Sequence, residues 1–71
     1  MDLSELEVGN TAVVKEVKGR DILSREIEEM GFTPGSRVQL LSRGPFRSPL
    51  IVSVRGATIA IRSTDAKRVI L

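Results

Sequence analysis

The side chains that could carry chemistry in this chain of 71 residues are serines, carboxylates and basic groups, because cysteine and histidine are both absent. A serine nucleophile needs a neighbouring base, and histidine is the side chain that exchanges protons near neutral pH. No spacing in the sequence indicates a serine–lysine pair instead. The lack of cysteine also removes thiolate ligands and disulfides. These features predict a protein that is not an enzyme and carries no cofactor.

The densest group of carboxylates is Glu26, Glu28 and Glu29, within one predicted helix. On a helix Glu26 and Glu28 face apart, whereas Glu26 and Glu29 share a solvated flank, so paired acid–base chemistry is not indicated. Only hard oxygen ligands remain for a metal, and no acidic segment has the spacing of a calcium loop. The glycines form no phosphate-binding loop. We therefore predict no dedicated metal site, and weak binding at Glu28, Glu29 or Asp65 would not define a function.

Basic residues are concentrated in the second part of the chain. Residues 1–30 contain eight acids and four bases, a net charge of −4, whereas residues 31–71 contain one acid and seven bases, a net charge of +6. Such a segment can meet nucleic acid, an acidic protein or lipid headgroups, but it also suits the outer faces of strands. Barrels that bind single strands stack bases on aromatic rings, and this chain has two phenylalanines and no tyrosine or tryptophan. A small basic nucleic-acid-binding barrel is thus an alternative, with no specific nucleic acid expected.

Short strands around one helix must position these side chains. The strands are predicted at 11–17, 37–41, 50–55, 58–62 and 68–71, from β-branched residues and alternating apolar positions. A surface loop is expected at 42–49, a tight turn at 56–57, and a helical turn at 64–67 that is capped by Ser63 or Thr64. About five short strands with one inserted helix, in a single domain over residues 1–71, predict a mainly β fold, a small and strongly bent antiparallel barrel.

The helix is predicted at about residues 21–31. Asp21 is a suitable N-cap, because its carboxylate can accept a free backbone N–H of the first turn. Leu23, Ile27 and Met30 recur at i, i+4 and i+7, which places them on one face.

The segment after the helix reads as a structural signature formed by Gly31, Phe32, Pro34 and Gly35. Gly31 stands where a left-handed residue ends a helix, and Phe32 stands where an apolar side chain returns to the last turn. Pro34 and Gly35 then favour a turn. The signature is therefore a helix stop, a hydrophobic anchor and a turn in close succession.

The predicted core is aliphatic. Its members are Val14, Val17, Leu23, Ile27, Val38, Leu40, Val52, Val54, Ile59, Ile61, Val69 and Leu71. The apolar side chains of the helix, Ile22 among them, do not all fit beneath so short an element, so some are available to a partner. Phe46, at the tip of a proline-bounded loop, is a second exposed apolar candidate. Leu23, Ile27, Met30 and Phe46 are therefore the predicted partner-binding residues, with packing in the core or the loop as the alternative for each.

Several segments, in this order and over essentially the whole chain, resemble the small ferrous iron transport protein A (FeoA) family. The segments are residues 3–6 with Gly9, then 27–35, 37–40, 44–49, 54–56, 59–62 and 65–66. The Met-Gly-Phe-Thr-Pro-Gly sequence at 30–35 is the most specific part. The loop departs from the family, since Arg47 and Ser48 stand where members usually carry Gly-Asp. A role for that acidic residue therefore does not transfer to this chain.

The resemblance implies an SH3-like barrel with an inserted helix. It also implies a cytoplasmic accessory protein of bacterial ferrous iron uptake that docks on the cytosolic G-protein domain of the membrane transporter FeoB and modulates it. Such a protein would be recruited to the inner face of the membrane by its partner, without inserting itself. Ile27, Met30 and Phe32 fall on the signature segment, and Ile27 is the contact we expect most. Transition metal ion binding is a label that accompanies the family, although this sequence offers it no evident ligands.

Two further interpretations keep the same fold. The C-terminal barrel of DtxR-type metalloregulators is similar, but it is tethered to a DNA-binding helical domain. This chain shows no helix-turn-helix and begins at Met1 without the pattern of a signal peptide, which favours a free-standing cytoplasmic accessory. A self-associating barrel, active as a homo-oligomer, is the other alternative.

Overall fold

The computed structural model of the protein describes all residues, 1–71, as short strands joined by turns and two short helices. The strands are β1 (Thr11–Val13), β2 (Glu16–Val17), β3 (Arg37–Arg43), β4 (Leu50–Val54), β5 (Ala57–Ile61) and β6 (Val69–Ile70). The helices are α1 (Ile22–Glu29) and α2 (Ser63–Ala66), and tight turns lie at Leu3–Glu5, a 3₁₀ turn, and at Pro45–Arg47. Neither helix has the length and apolar character needed to cross a bilayer.

The strands form two antiparallel sheets. One contains four strands in the order β1-β3-β4-β5, and the other pairs β2 with β6. In the larger sheet Val38 lies opposite Val54 and Leu40 lies opposite Val52, and all four side chains are buried. Because inward and outward side chains alternate along each strand, this register places the aliphatic residues on one face. The predicted mainly β, antiparallel fold with one inserted helix is confirmed.

The segment predicted as one strand at 11–17 is instead two strands in different sheets. The chain leaves β3 at Val14, whose N–H donates to the Ser36 carbonyl (2.9 Å) and whose carbonyl accepts from the Gly35 N–H (2.8 Å). The Lys15 N–H then donates to the Ile70 carbonyl at 2.7 Å, which starts the pairing with β6. The backbone N–H and C=O groups keep hydrogen-bond partners while the chain passes from one sheet to the other. The segment is therefore extended as predicted, but its two halves pair with different strands. The number of strands is consequently six.

Three predicted boundaries are also wrong. Strand β3 continues to Arg43, beyond the predicted end at 41, so the loop predicted at 42–49 begins at Gly44. The hairpin between β4 and β5 turns at Arg55 and Gly56, not at 56–57, since Val54 lies opposite Ala57. Both turn residues have positive φ, 50° and 81°, as the tight hairpin turn with a matching twist requires. Helix α2 begins at Ser63, and its N-cap is Arg62 without a side-chain capping bond.

The predicted helix and its stop are found in the structure. The Asp21 carboxylate accepts the Ser24 N–H at 3.1 Å, and Met30 is the C-cap. Gly31 has a φ of 118°, and its N–H donates to the Glu28 carbonyl at 2.9 Å. Glycine adopts this left-handed conformation without strain, so Gly31 can end the helix at this position.

The core is aliphatic apart from one aromatic ring. The buried apolar residues are Leu3, Leu6, Val14, Ile27, Phe32, Val38, Leu40, Leu50, Val52, Val54, Ile61, Ala66 and Val69. Four predicted members, Val17, Leu23, Ile59 and Leu71, are only partly buried and pack against this cluster. They lie at short or edge elements, where one side of the residue has no covering layer.

We expect Ile27→Ala to lower the free energy of unfolding by about 2–5 kcal/mol, because it leaves a cavity beneath α1. The matched control is Ile22→Ala on the same helix, where the side chain is exposed and the expected change is within about 0.5 kcal/mol. Urea unfolding followed by circular dichroism measures both. Equal losses in the two variants would contradict the assigned inner face of the helix.

Candidate functional site

Ile27, the partner contact expected most from the sequence, belongs to the core. It has no exposed surface, and Ser24, one helical turn earlier, is buried as well. These two residues mark the side of α1 that faces the barrel, so Ile27 cannot touch a partner in this structure. The prediction of Ile27 as a contact is therefore corrected, and the reason is that the helix needs this side chain to attach to the sheet.

An apolar surface remains on the neighbouring flank of α1. Successive helical residues are rotated by about 100°, so Leu23 and Met30, two turns apart, lie nearly in line beside the buried side. Leu23 is half-buried against the core, whereas Met30 is 38% exposed. Ile22 is 74% exposed and points further out. We call this surface the helix flank, formed by Ile22, Leu23, Glu26, Glu29 and Met30.

Phe46 is fully exposed and is held outward by the backbone of its loop. Phe46 and Arg47 both have positive φ, 57° and 66°, which non-glycine residues seldom adopt. The loop is closed by the Gly44 N–H, which donates to the Pro49 carbonyl at 2.8 Å. A Cβ at Gly44 would lie 2.5 Å from the Ser48 carbonyl oxygen, so only glycine fits there. This unusual backbone presents an aromatic ring to solvent, which is a common property of interaction sites.

The structure does not bring Phe46 together with Met30. The Phe46 loop follows the Arg43 end of β3, which pairs with Leu50 at the start of β4. Gly31, the residue after Met30, faces the other end of β4, where a Cβ would lie 3.6 Å from the Val54 side chain. A strand advances about 3.3 Å per residue, so the length of β4 separates the two features. The predicted partner-binding residues therefore form two surfaces and not one.

Half of the arginines in the basic part of the chain are engaged within the fold. Arg43 donates through Nη2 to the carbonyls of Ser4 (2.6 Å) and Leu6 (2.7 Å). Arg62 pairs with Asp65 at 3.3 Å. These arginines, like Arg68, therefore have structural roles within the fold, which their clustering in the sequence did not indicate.

Arg68 joins the segment before β6 to the start of α1. Its Nη1 donates to the Asp21 Oδ1 at 2.8 Å, and the same oxygen accepts the Ser24 N–H. The hydrogen bond from Arg68 is the main cause, and that from the Ser24 backbone N–H the second, of a pKa of Asp21 that is lowered from 3.8 to about 2. The capping carboxylate thus stays charged where the free N–H groups of the helix need an acceptor.

The residues present do not fit a transition metal. The chain contains neither cysteine nor histidine, the preferred ligands of such ions. No three carboxylates come close enough together to hold a metal ion.

Comparison with known proteins identifies relatives over the whole chain. The family model described as "FeoA domain" matches residues 1–71. A curated relative from Porphyromonas gingivalis, the Fe(2+) transport protein A/Fe(2+) transporter FeoB fusion protein, is 33% identical over 97% of this chain. This chain spans only 8% of the length of that relative.

Solved structures share the fold. Stenotrophomonas maltophilia FeoA complexed with zinc, described as an SH3 domain protein, is 38% identical with a TM-score of 0.86, over 99% of this chain and 87% of that one. A manganese-dependent transcriptional repressor is 25% identical with a TM-score of 0.83, over 100% of this chain and 41% of that one. The expected SH3-like barrel is confirmed, as is its relation to a domain of metalloregulators.

The ion pair between Arg68 and Asp21 makes the stability of the fold depend on pH in the acidic range. The pKa of Asp21 is lowered on folding, so its contribution to stability is complete above pH 3.8 and is lost as the pH falls through about 2. We expect Arg68→Gln to raise the pKa of Asp21 partway to 3.8, because the Ser24 N–H still donates. NMR titration of the Asp21 carboxyl carbon measures the shift. Arg20→Gln is the control, since Arg20 adjoins Asp21 in sequence without bonding to it, and an equal shift in that variant would contradict a specific bond.

Proposed function

Because the FeoA model matches it from end to end, this chain belongs to the FeoA domain family, and from that premise we propose a non-catalytic accessory role in bacterial ferrous iron uptake. The protein docks on the cytosolic G-protein domain of a FeoB-type transporter and modulates that transporter. It works on the cytoplasmic side of the membrane and is held at the inner face by its partner. The single observation that carries the proposal is the relative in which an Fe(2+) transport protein A segment is fused to an Fe(2+) transporter FeoB.

A fusion supports docking for a physical reason. Two domains in one chain meet at a high effective concentration, so even a weak contact between them is occupied. A separate protein must reach the same partner by the affinity of its own surface. Docking by a separate chain therefore requires an exposed surface that is large enough to bind and is not needed by the core.

The helix flank meets that requirement. Ile22 and Met30 expose apolar side chains on an element that is anchored by Ile27 beneath it. Apolar anchors at the centre of an interface supply most of its binding energy, and a polar rim excludes water around them. Glu26 and Glu29 supply that rim here with negative charge. The expected partner surface is an apolar depression with basic groups at its edge, and Leu23 contributes the part of its side chain that the core leaves open.

The two buried serines have structural roles. Ser24 is buried and donates through Oγ to the Asp21 carbonyl at 2.7 Å, while the Ser36 hydroxyl pairs with that of Thr33 at 2.8 Å. Both hydroxyls are therefore committed to local structure, and neither faces a base. Regulation through binding, by changing the assembly or gating of the transporter, requires no such group.

We expect Ile22→Glu and Met30→Glu each to weaken binding to the purified cytosolic domain of the cognate transporter by about tenfold or more. Calorimetric titration at low and high salt, with and without guanine nucleotide, measures the affinity. Ile22 is the first residue of α1, where a carboxylate interacts favourably with the helix dipole, so this variant keeps its fold. A loss of binding in the Ile22 variant then reports on the surface and not on stability, whereas Met30→Glu, at the C-cap, requires a check of its fold by circular dichroism.

The control is Val8→Glu, which places the same charge on an exposed valine outside the helix. It should bind as the unmodified protein does, and salt should weaken the affinity only slightly, because the charged rim contributes less than the apolar anchors. Equal weakening by all three variants would contradict docking through the helix flank. No binding in any nucleotide state would overturn the proposed partner domain.

A further inference from the structure

A surface pocket of about 460 Å³ lies at the Phe46 end of the barrel. Its walls come from the Leu3–Glu5 turn, the end of β3, the Pro45–Arg47 turn and the α2 segment. Arg43, Arg47 and Lys67 line it, and Glu5 is the only acid among the lining residues. Glu5 is already engaged, because its Oε1 accepts the Asp2 N–H at 2.9 Å. The pocket therefore has an excess of positive charge.

Arg43 is the least satisfied group of this pocket. Its Nη2 is fully used by two backbone carbonyls, but its Nη1 is buried and has no hydrogen-bond partner. Burial, and then the charge of the neighbouring Arg47, lower the pKa of Arg43. A buried guanidinium nitrogen without an acceptor is unfavourable, and such a group in a folded protein points to a missing partner.

The remaining lining groups suit an anion. Arg47 is exposed at the mouth of the pocket, and Lys67 extends from the end of α2. The Ser63 hydroxyl makes no hydrogen bond within the protein and can donate, whereas its N–H is already given to the Ser48 Oγ at 3.2 Å. Phe46 stands at the rim with its ring in solvent.

We propose that this pocket binds the phosphate group of a small anionic ligand. A phosphate oxygen supplies the acceptor that Arg43 Nη1 lacks, and a hydrogen bond between two charged groups is stronger than a neutral one. Arg43, Arg47 and Lys67 carry more positive charge than one carboxylate of a partner protein would neutralise. A dianion is therefore favoured as the ligand over a protein side chain. The site is independent of the helix flank, and its failure would leave the proposed docking untouched.

The phosphate group has two sources, which the titration distinguishes. Either inorganic phosphate is itself the ligand, or the group belongs to a phosphomonoester whose aromatic ring stacks on Phe46. We expect inorganic phosphate to cause saturable amide shifts at residues 4–5, 43–48 and 63–67 of the full chain at constant ionic strength, with a raised melting temperature. If adenosine monophosphate binds more tightly than inorganic phosphate, and if Phe46→Ala removes this difference in affinity, the ligand is a phosphomonoester.

Variants of the exposed cations test the site without disturbing the fold. Arg47→Gln and Lys67→Gln should each weaken phosphate binding by about two- to fivefold, as expected for one partly exposed ionic contact. Arg37→Gln is the matched control, since Arg37 is an exposed cation of β3 outside the pocket, and it should leave the affinity unchanged. Arg43→Lys should remove binding, but it also loses contacts to Ser4 and Leu6, so the two exposed variants decide the outcome.

Three results would overturn the proposal. Shifts that do not saturate, or that sodium chloride reproduces, would show only general screening of surface charge. Equal weakening by Arg37→Gln would show a response to net charge and not to this pocket. Binding of a polyglutamate peptide that phosphate fails to displace would show that the pocket receives the carboxylates of a protein.

Discussion

The attachment of α1 and the segment after it to the barrel is the contact on which the rest of the structure depends. Ile27 and Phe32 are both completely buried, and the helix stop at Gly31 stands between them. The turn that follows hydrogen-bonds to Val14 at the point where the first strand changes sheets. In a chain of 71 residues the core is small, and one segment therefore ties the helix, both sheets and the change of strand direction together.

This constraint determines which surfaces are free to act. The inner side of α1 is used by Ser24 and Ile27, so a partner can meet the helix only along its outer sides, of which the helix flank is the apolar one. At the other end of β4, the shape of the loop follows from the close approach of Gly44 to Ser48, and this places Phe46 in solvent. The two surfaces are separated by the same sheet that stabilises them. A protein of this size can thus offer two distinct contacts without a second domain.

The proposed function relies on surfaces rather than on reactive groups. Several of the protein's charged residues have structural roles, as Arg68 shows at the helix N-cap and Arg43 at the carbonyls of the first turn. The shared fold with FeoA and with a manganese-dependent repressor indicates that the same barrel serves in different contexts. Differences in function then come from residues on the outside of the barrel, which vary without cost to the core.

Local signals in the sequence were sufficient to predict α1, its cap and its stop. The N-cap at Asp21, the apolar period and Gly31 act over a few neighbouring residues, so their meaning does not depend on the rest of the chain. The alternating strands likewise predicted a small antiparallel barrel. Only the tertiary structure decided which side of the helix is covered, and it placed Ile27, which the sequence offered both as a core residue and as a partner contact, in the core.

Long-range contacts determined the remainder. Arg68 finds Asp21 across 47 residues and Arg43 finds Ser4 across 39, and neither pair has a pattern in the sequence. The split of the segment 11–17 has the same origin, because its β propensity is uniform while its partners lie in two different sheets. Propensity and capping describe what a segment can form alone, whereas burial, charge pairing and sheet membership depend on what the folded chain places beside it.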